Sequence, residues 1–270
     1  MGVLTWDQTG EHLYETGVKK GVLYPFNNKI AAYDTAKTYK VGDIISKDGK
    51  IYTCKTEVKT STPWSETNWY ESSAYGPGVA WNGLTGITEK PSGADETALY
   101  ADDQKYLSLR AAENYGATIE AYTYPDEFAV CDGSANLAPG VIIGQQKRKT
   151  FGLSYETIVG NDTENDDYGK KIHIMYGATA SPSERSYKTV NESPEATTFS
   201  WEASTVPVDV SIDENSQFNK TSTVTIDTTK LTEKQKPALK KLLDALRGTD
   251  TTDPYLPSPG QIYNWFNTAV

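Results

Sequence analysis

Two cysteines, two histidines and two methionines in 270 residues leave few side chains for redox or imidazole chemistry. Cys54 and Cys131 lie far apart, and without a secretion signal both thiols are expected to stay reduced. Together with His12 and His173 they form no zinc spacing. G-x-S-x-G, H-E-x-x-H and G-x-x-x-x-G-K-[ST] are all absent, so no enzyme class is indicated and no catalytic, cofactor or metal residue is assigned. Carboxylates are plentiful, but nothing singles out a pair for acid–base work. Basic residues are in deficit, 26 against 36 acidic, for a net charge of −10. A protein that grips phosphate backbones presents the opposite sign. Mean hydropathy is −0.57 and no long apolar run occurs, which argues against a transmembrane helix. Met1 to Asp7 has neither a basic nor an apolar region of signal-peptide type, and Trp6 stands where myristoylation wants Ser or Thr. The chain is therefore expected to be made and kept in the cytosol.

What is present reads mainly as short strands. Phe151, Leu153, Tyr155 and Thr157 alternate with Gly152, Ser154 and Glu156, the period of a strand with one buried face. Ile172, Ile174 and Tyr176 alternate around His173 and Met175, and Phe199, Trp201 and Ala203 around Ser200 and Glu202. Val206, Val208, Val210 and Ile212 predict a further strand, as do Val224 with Ile226 and the run Thr118–Tyr124, ended by Pro125-Asp126. Turn residues punctuate them at Gly160-Asn161-Asp162, Ser181-Pro182 and Ser193-Pro194. Half-buried strands at this spacing predict a sandwich or barrel, a mainly β fold.

Two stretches depart from that pattern. Leu239, Leu242, Leu243 and Leu246 make one apolar helical stripe, with Pro237 suited to the first turn and Gly248 just past the end. A capping box from Thr232 to Gln235 would leave Pro237 too deep in the helix, so the later start is preferred. After Pro254 to Pro259, a last amphipathic segment carries Ile262, Trp265 and Phe266. The stretch Lys29 to Ser73 holds seven Lys and six carboxylates, a net of +1, and the remainder holds 19 basic and 30 acidic residues, a net of −11. With Tyr39-Lys40-Val41-Gly42-Asp43, Gly49-Lys50-Ile51-Tyr52-Thr53-Cys54, Pro63-Trp64 and Trp69-Tyr70 it reads as a small three-stranded module with an aromatic core.

Residues 1–28 and 74–270 resemble the major tail tube proteins of long-tailed, siphovirus-like bacteriophages. The likeness is carried by Leu4-Thr5-Trp6, Glu15-Thr16-Gly17-Val18, Gly21-Val22-Leu23-Tyr24, Gly78-Val79-Ala80-Trp81-Asn82-Gly83-Leu84, Gly93-Ala94 and Leu99-Tyr100-Ala101-Asp102. It continues through Gly116 to Phe128, Gly144-Gln145-Gln146-Lys147-Arg148 and Ser193-Pro194-Glu195-Ala196 before Phe199-Ser200-Trp201-Glu202. The resemblance implies a structural protein and not an enzyme. It further implies a β-sandwich or barrel subunit with a flanking helix, homohexameric rings stacked into a tube, and genomic DNA passing through the lumen without specific binding. Tape measure and tail terminator proteins are the implied partners. No membrane is involved, and the implied location is the virion, with assembly in the host cytoplasm. An acidic balance suits such a bore, because carboxylates on its wall would repel the duplex, although Asp and Glu also commonly just solvate an outer surface.

Within that frame, Glu89 to Tyr106, with Pro91, Gly93, Asp102 and Asp103, is either an ordinary long loop or the arm that docks on the next ring. Asn161 to Asp167 lacks the Gly and the closing Glu of a calcium loop and reads as a solvated hairpin tip. Lys147-Arg148-Lys149 is too small a patch for nucleic acid and is expected to pair with a neighbouring subunit's carboxylates. His173 is expected to be structural. Residues 29–73 resemble the small chitin-binding-type modules of bacterial chitinases, through Tyr39-x-x-Gly42-Asp43, Gly49-x-x-Tyr52-x-Cys54 and Trp69. That resemblance implies Trp64, Trp69 and Tyr70 as residues on which a surface glycan would stack, two of which would alternatively belong to the module's core. An insertion needs both ends close together at a surface, which puts the module on the outside of a tube and favours a tail without a contractile sheath. The rival reading is a carbohydrate-binding adhesin whose main activity is this module. A glycan-cleaving enzyme has no motif to support it.

Overall fold

The computed structural model describes residues 4, 6–93, 95–181, 185–187, 189, 196–210 and 218–267. An eight-stranded sheet organises most of it. Its strands are β1 (Tyr14–Pro25), β2 (Val79–Trp81), β3 (Leu84–Glu89), β4 (Gly116–Ala121), β5 (Phe151–Asn161), β6 (Asn165–Ala180), β7 (Phe199–Thr205) and β8 (Thr223–Asp227). The order is β2-β1-β5-β6-β7-β4-β3, with β8 also paired to β6, and the pairings are antiparallel. The two ends of this path, β2 and β3, follow one another through the turn at Asn82-Gly83, so the sheet curls back on itself. Gly21 in β1 permits the closure, because a Cβ there would stand 2.2 Å from the Leu84 side chain of β3.

The inside of the curl is one core and its helix-covered outside is a second. Inside, Leu23, Ile119, Phe151, Leu153 and Met175 surround the rings of Trp81, Phe128 and Trp201, whose centroids lie 4.6–5.7 Å apart. Helix α1 (Ala129–Asp132) follows β4. Outside, Tyr24, Ile172, Ile174, Tyr176 and Ile226 pack under helices α2 (Lys236–Arg247) and α3 (Pro259–Asn267). Leu242 and Leu246 are the buried members of the predicted stripe. Each such side chain contributes about 1.5–3 kcal/mol by leaving water. The Thr232–Gln235 capping box does form, but on a 3₁₀ turn that precedes α2, so it coexists with Pro237 in the first helical turn.

Two strand readings need correction. β5 is buried on both faces, not one: Gly152, Ser154 and Glu156 lie under the helix layer. The strand expected from Val206 to Ile212 is absent over 206–210, where Val208 makes an isolated bridge to Thr221 and Val206 is exposed. Pro207 has no N–H to give a ladder, which interrupts the apolar alternation as a strand. Ile212, Pro182 and the Ser193-Pro194 turn lie outside the described residues.

Residues 31–71 form a separate sheet of four strands, not three: Ala31–Ala32, Ile44–Lys47, Lys50–Cys54 and Trp69–Glu71. The extra strand is two alanines paired parallel to Ile45-Ser46, too short to show a period. Asp48 and Gly49, both at positive φ, close the central hairpin. Tyr39, Ile45, Cys54, Val58 and Trp69 are its buried core. The chain leaves and rejoins the main body at one place, where the Asn27 N–H donates to the Ala74 carbonyl at 2.8 Å beside the bridge Phe26–Tyr75. Cys54 and Cys131 are free and buried, and burial pushes the Cys131 thiol up to about 12.

Candidate functional site: a projecting hairpin and its root

Past Glu89 the chain leaves the sheet. Ser92–Gly93 pairs with Glu113–Asn114 to form a short neck, and beyond it Glu96–Ala101 and Gln104–Arg110 make a hairpin that pairs with no other strand among the described residues. Asp102 and Asp103 form its two-residue turn at φ 51° and 60°, a left-handed conformation that Asp tolerates better than most residues. The hairpin buries almost nothing. Tyr100 and Tyr106 are 73% and 77% exposed, and Leu99, Leu107 and Leu109 also face solvent. Within it, Lys105 and Ser108 both donate to Glu96, which holds that carboxyl below its usual range. A lone two-stranded ribbon is marginally stable in water, so five large apolar side chains at this position call for a covering surface.

The root of the hairpin is a polar cluster. Glu89 accepts a hydrogen bond from the Tyr155 hydroxyl at 3.1 Å, and the His173 Nδ1 lies 3.9 Å from the same oxygen. The His173 ring stacks on Tyr155 with centroids 4.7 Å apart, and its Nε2 is 2.9 Å from Thr157 Oγ1 and 3.3 Å from Glu15 Oε1. Lys171 pairs with the other Glu15 oxygen at 2.5 Å. Burial alone would raise the Glu15 pKa, but the bonds from Lys171 and Thr157 leave it lowered. Burial lowers the His173 pKa despite the opposing fields of Glu15 and Glu89. The fold therefore prefers neutral His173 more than the unfolded chain does. Its contribution to stability is complete above the unfolded pKa of about 6.5 and is lost as pH falls toward the lower folded value. Thermal melts between pH 7.5 and 5.5 should show the wild type losing melting temperature across this window, with a flatter profile for His173→Gln. Parallel profiles would contradict the assignment.

The residues expected in an arm are thus strung along one projection and not gathered into a cluster. Glu89 is at the root, Pro91 and Gly93 in the neck, and Asp102 and Asp103 at the tip. Gly93 is at φ +92°, and a Cβ there would meet the Ala112 carbonyl at 2.5 Å. The projection runs on to Arg110, four residues beyond Tyr106, and so includes Leu107 and Leu109, whose alternation with Ser108 is the sequence signal for this strand.

A second exposed apolar hairpin, Ala135–Ala138 with Val141–Ile143, turns at Pro139-Gly140 and carries Leu137 (69% exposed) and Ile142 (65%). Pro139-Gly140 is a turn dipeptide, the local sequence signal for this hairpin. The basic run after it is divided: Arg148 is half-buried and donates from Nη1 to the Ala180 carbonyl at 2.7 Å, while Lys147 and Lys149 are exposed.

The glycan-stacking set also divides. Trp69 is buried in the small module's core against Tyr33, Tyr39 and Trp64, so it offers no open ring face. Tyr70 is half-buried against the main body, its hydroxyl accepting from the Asp253 N–H at 3.1 Å. Trp64 remains half-buried, with the Lys47 ammonium 5.2 Å over its ring. Asn161 to Asp167 lies at the β5–β6 hairpin tip, where Asn161 accepts from the Thr163 and Glu164 N–H groups.

No known protein family matches the chain, and no curated protein does. Among solved structures, a chain from the cryo-EM structure of the anti-feeding prophage baseplate, six-fold symmetrised, aligns over 84% of this chain and 100% of its own, at 9% identity and a TM-score of 0.29. A likeness at that score fixes neither fold nor function. Among the described residues no helix is long and apolar enough to cross a membrane.

Proposed function

We propose that the chain is the structural subunit of a phage tail tube. In this reading six copies close into a ring, rings stack head to tail, and the genome leaves through the bore without being bound. The observation that carries it is the Glu96–Arg110 hairpin, which joins no other sheet among the described residues and exposes five large apolar side chains. It lies in the stretch whose sequence resembles the tail tube family. A covering surface on another copy would make it the ring-stacking arm, and contact of unlike patches gives rings or filaments. The net −11 outside residues 29–73 suits a bore that must not adhere to DNA. Residues 29–73 leave and rejoin the body side by side, which supports an inserted module on the tube's exterior. Burial of Trp69 and coverage of Tyr70 count against the adhesin reading, since a stacking platform needs open ring faces.

Negative-stain microscopy of the purified protein tests the proposal: rings or tubes are expected, and monodisperse monomers that bind a glycan array would replace it with the adhesin. The triple variant Tyr100→Ser, Leu107→Ser, Leu109→Ser removes side chains the monomer does not bury. Its melting temperature should stay within about 2 °C of wild type while assembly is lost. Equal assembly by the variant would remove the hairpin from the interface.

A further inference from the structure

Building on the assembly reading, we infer that the Glu96–Arg110 hairpin of one copy docks on the Ala135–Ala138/Val141–Ile143 hairpin of a second copy of this chain, with Lys147 and Lys149 facing the arm's carboxylates. Both hairpins are two-stranded, project from the main sheet and expose apolar side chains. Their free charges are opposite in sign. On the arm, Lys105 and Arg110 are engaged by Glu96, and Lys90 pairs with Glu202. Among the described residues no cation pairs with Asp95, Asp102, Asp103 or Glu113, and from Asp95 to Glu113 five carboxylates stand against two cations, a net of −3. From Gly133 to Tyr155 the chain holds no Asp or Glu. Arg148 is turned inward, and Lys147 and Lys149 pair with no described carboxylate.

Those lysines stand at the foot of the receiving hairpin. The Gln146 N–H donates to the Gly133 carbonyl at 2.8 Å and the Lys149 N–H to the Val130 carbonyl at 3.0 Å, which runs 146–149 back along the hairpin's base. Arm against arm would oppose like charges, and so would receiver against receiver. The exposed N-terminal patch of Leu4, Trp6 and Leu13 carries Asp7 and Glu11 beside it and repels the arm as well. Arm against receiver is the pairing in which apolar surface and charge agree. It joins different patches on identical chains, so it can repeat from copy to copy into rings or filaments.

The test puts either sign of charge at one exposed position of the full-length chain. Leu137→Asp faces an acidic arm and should raise the critical concentration for assembly by about tenfold or more, while Leu137→Lys should change it far less. In parallel, equal amounts of light- and heavy-nitrogen protein are mixed, assembled and treated with a zero-length carbodiimide. Mixed-isotope peptides joining Lys147 or Lys149 to Asp95, Asp102, Asp103 or Glu113 are expected. Equal effects of Asp and Lys at 137, or tubes without those cross-links, would overturn this docking and leave the tube reading standing. A wild type that forms neither particles nor cross-links would overturn both.

Discussion

Replacing Gly177 by alanine is expected to destabilise the fold by about 3–5 kcal/mol, lowering the melting temperature by about 10 °C or more. Gly177 sits in β6 at φ +63°, where an L side chain costs about 1–2 kcal/mol by itself. The larger part is steric: a Cβ would stand 2.2 Å from the Val206 carbonyl oxygen, a backbone atom that cannot swing away. Val206 is also held in place, because its N–H donates to the Gly177 carbonyl at 3.0 Å. The position matters to the architecture. Before it, β6 pairs with β8 as far as Met175↔Thr223; after it, β6 pairs with β7 from Ala178↔Thr205. The irregularity changes the side-chain parity, so Met175 and Ala178 both enter the inner core while Tyr176 enters the helix layer. Gly160→Ala is the control. Its Cβ would come 2.3 Å from an atom of the Tyr14 ring, but that ring is a movable, partly exposed side chain and Gly160 has no positive φ. Thermal melts should separate the two variants by several degrees, and similar losses would refute the backbone argument.

Much of the fold was visible as periodicity where one face of an element meets a core. β6, β7, β8 and α2 follow the alternation of Ile172-Ile174-Tyr176, Phe199-Trp201-Ala203, Val224-Ile226 and the leucine stripe. β5 shows why the rule stops short. Gly152, Ser154 and Glu156 have the composition of a solvent face, yet they are covered: Gly152 lies beside Leu256, Ser154 bonds the Tyr24 hydroxyl at 3.0 Å, and Glu156 is enclosed by cations. These partners come from distant parts of the chain, and no local pattern announces them. Val206 shows the converse, an apolar alternation without a strand, because Pro207 denies it a ladder.

The candidate site was legible in place but not in shape. The stretch Glu89 to Tyr106 reads in the sequence as either a long loop or an arm, and the structure makes it a projecting hairpin that turns at Asp102-Asp103. Its strands are hard to see in the sequence, since both faces carry apolar residues and neither meets a core, and the short alternation Leu107-Ser108-Leu109 is the one local sign. Trp69 fails as a stacking residue for a related reason: a module this small has few other side chains to bury, and its aromatics become its core.

Glu156→Gln is expected to cost about 2–3 kcal/mol, although it changes one charge and almost no volume. The Glu156 side chain is 3% exposed and receives Lys170 at 3.3 Å, Lys20 at 3.6 Å and Arg247. Removing the carboxylate leaves three cations converging on a neutral amide. A fully buried ion pair broken this way loses about 3–5 kcal/mol, and the lower figure follows from partners that can rehydrate, Arg247 being 35% exposed. The damage should fall at the end of α2. Arg247 is its last residue, a favourable place for a cation, and the Tyr24 hydroxyl donates to the Leu246 carbonyl at 2.7 Å, satisfying a group the helix leaves open. With Glu156 gone, that end of the helix keeps the Tyr24 bond and the Tyr255 N–H, which donates to the Ala245 carbonyl at 2.8 Å, but loses its ionic tie. Hydrogen exchange should therefore speed up at Ala245 to Arg247 more than at the aromatic core around Trp201. Lys20→Ala, at a half-exposed partner, should cost under about 1 kcal/mol. A Glu156→Gln protein that melts within about 1 °C of wild type would show that the carboxylate contributes no more than its surroundings lose by enclosing it.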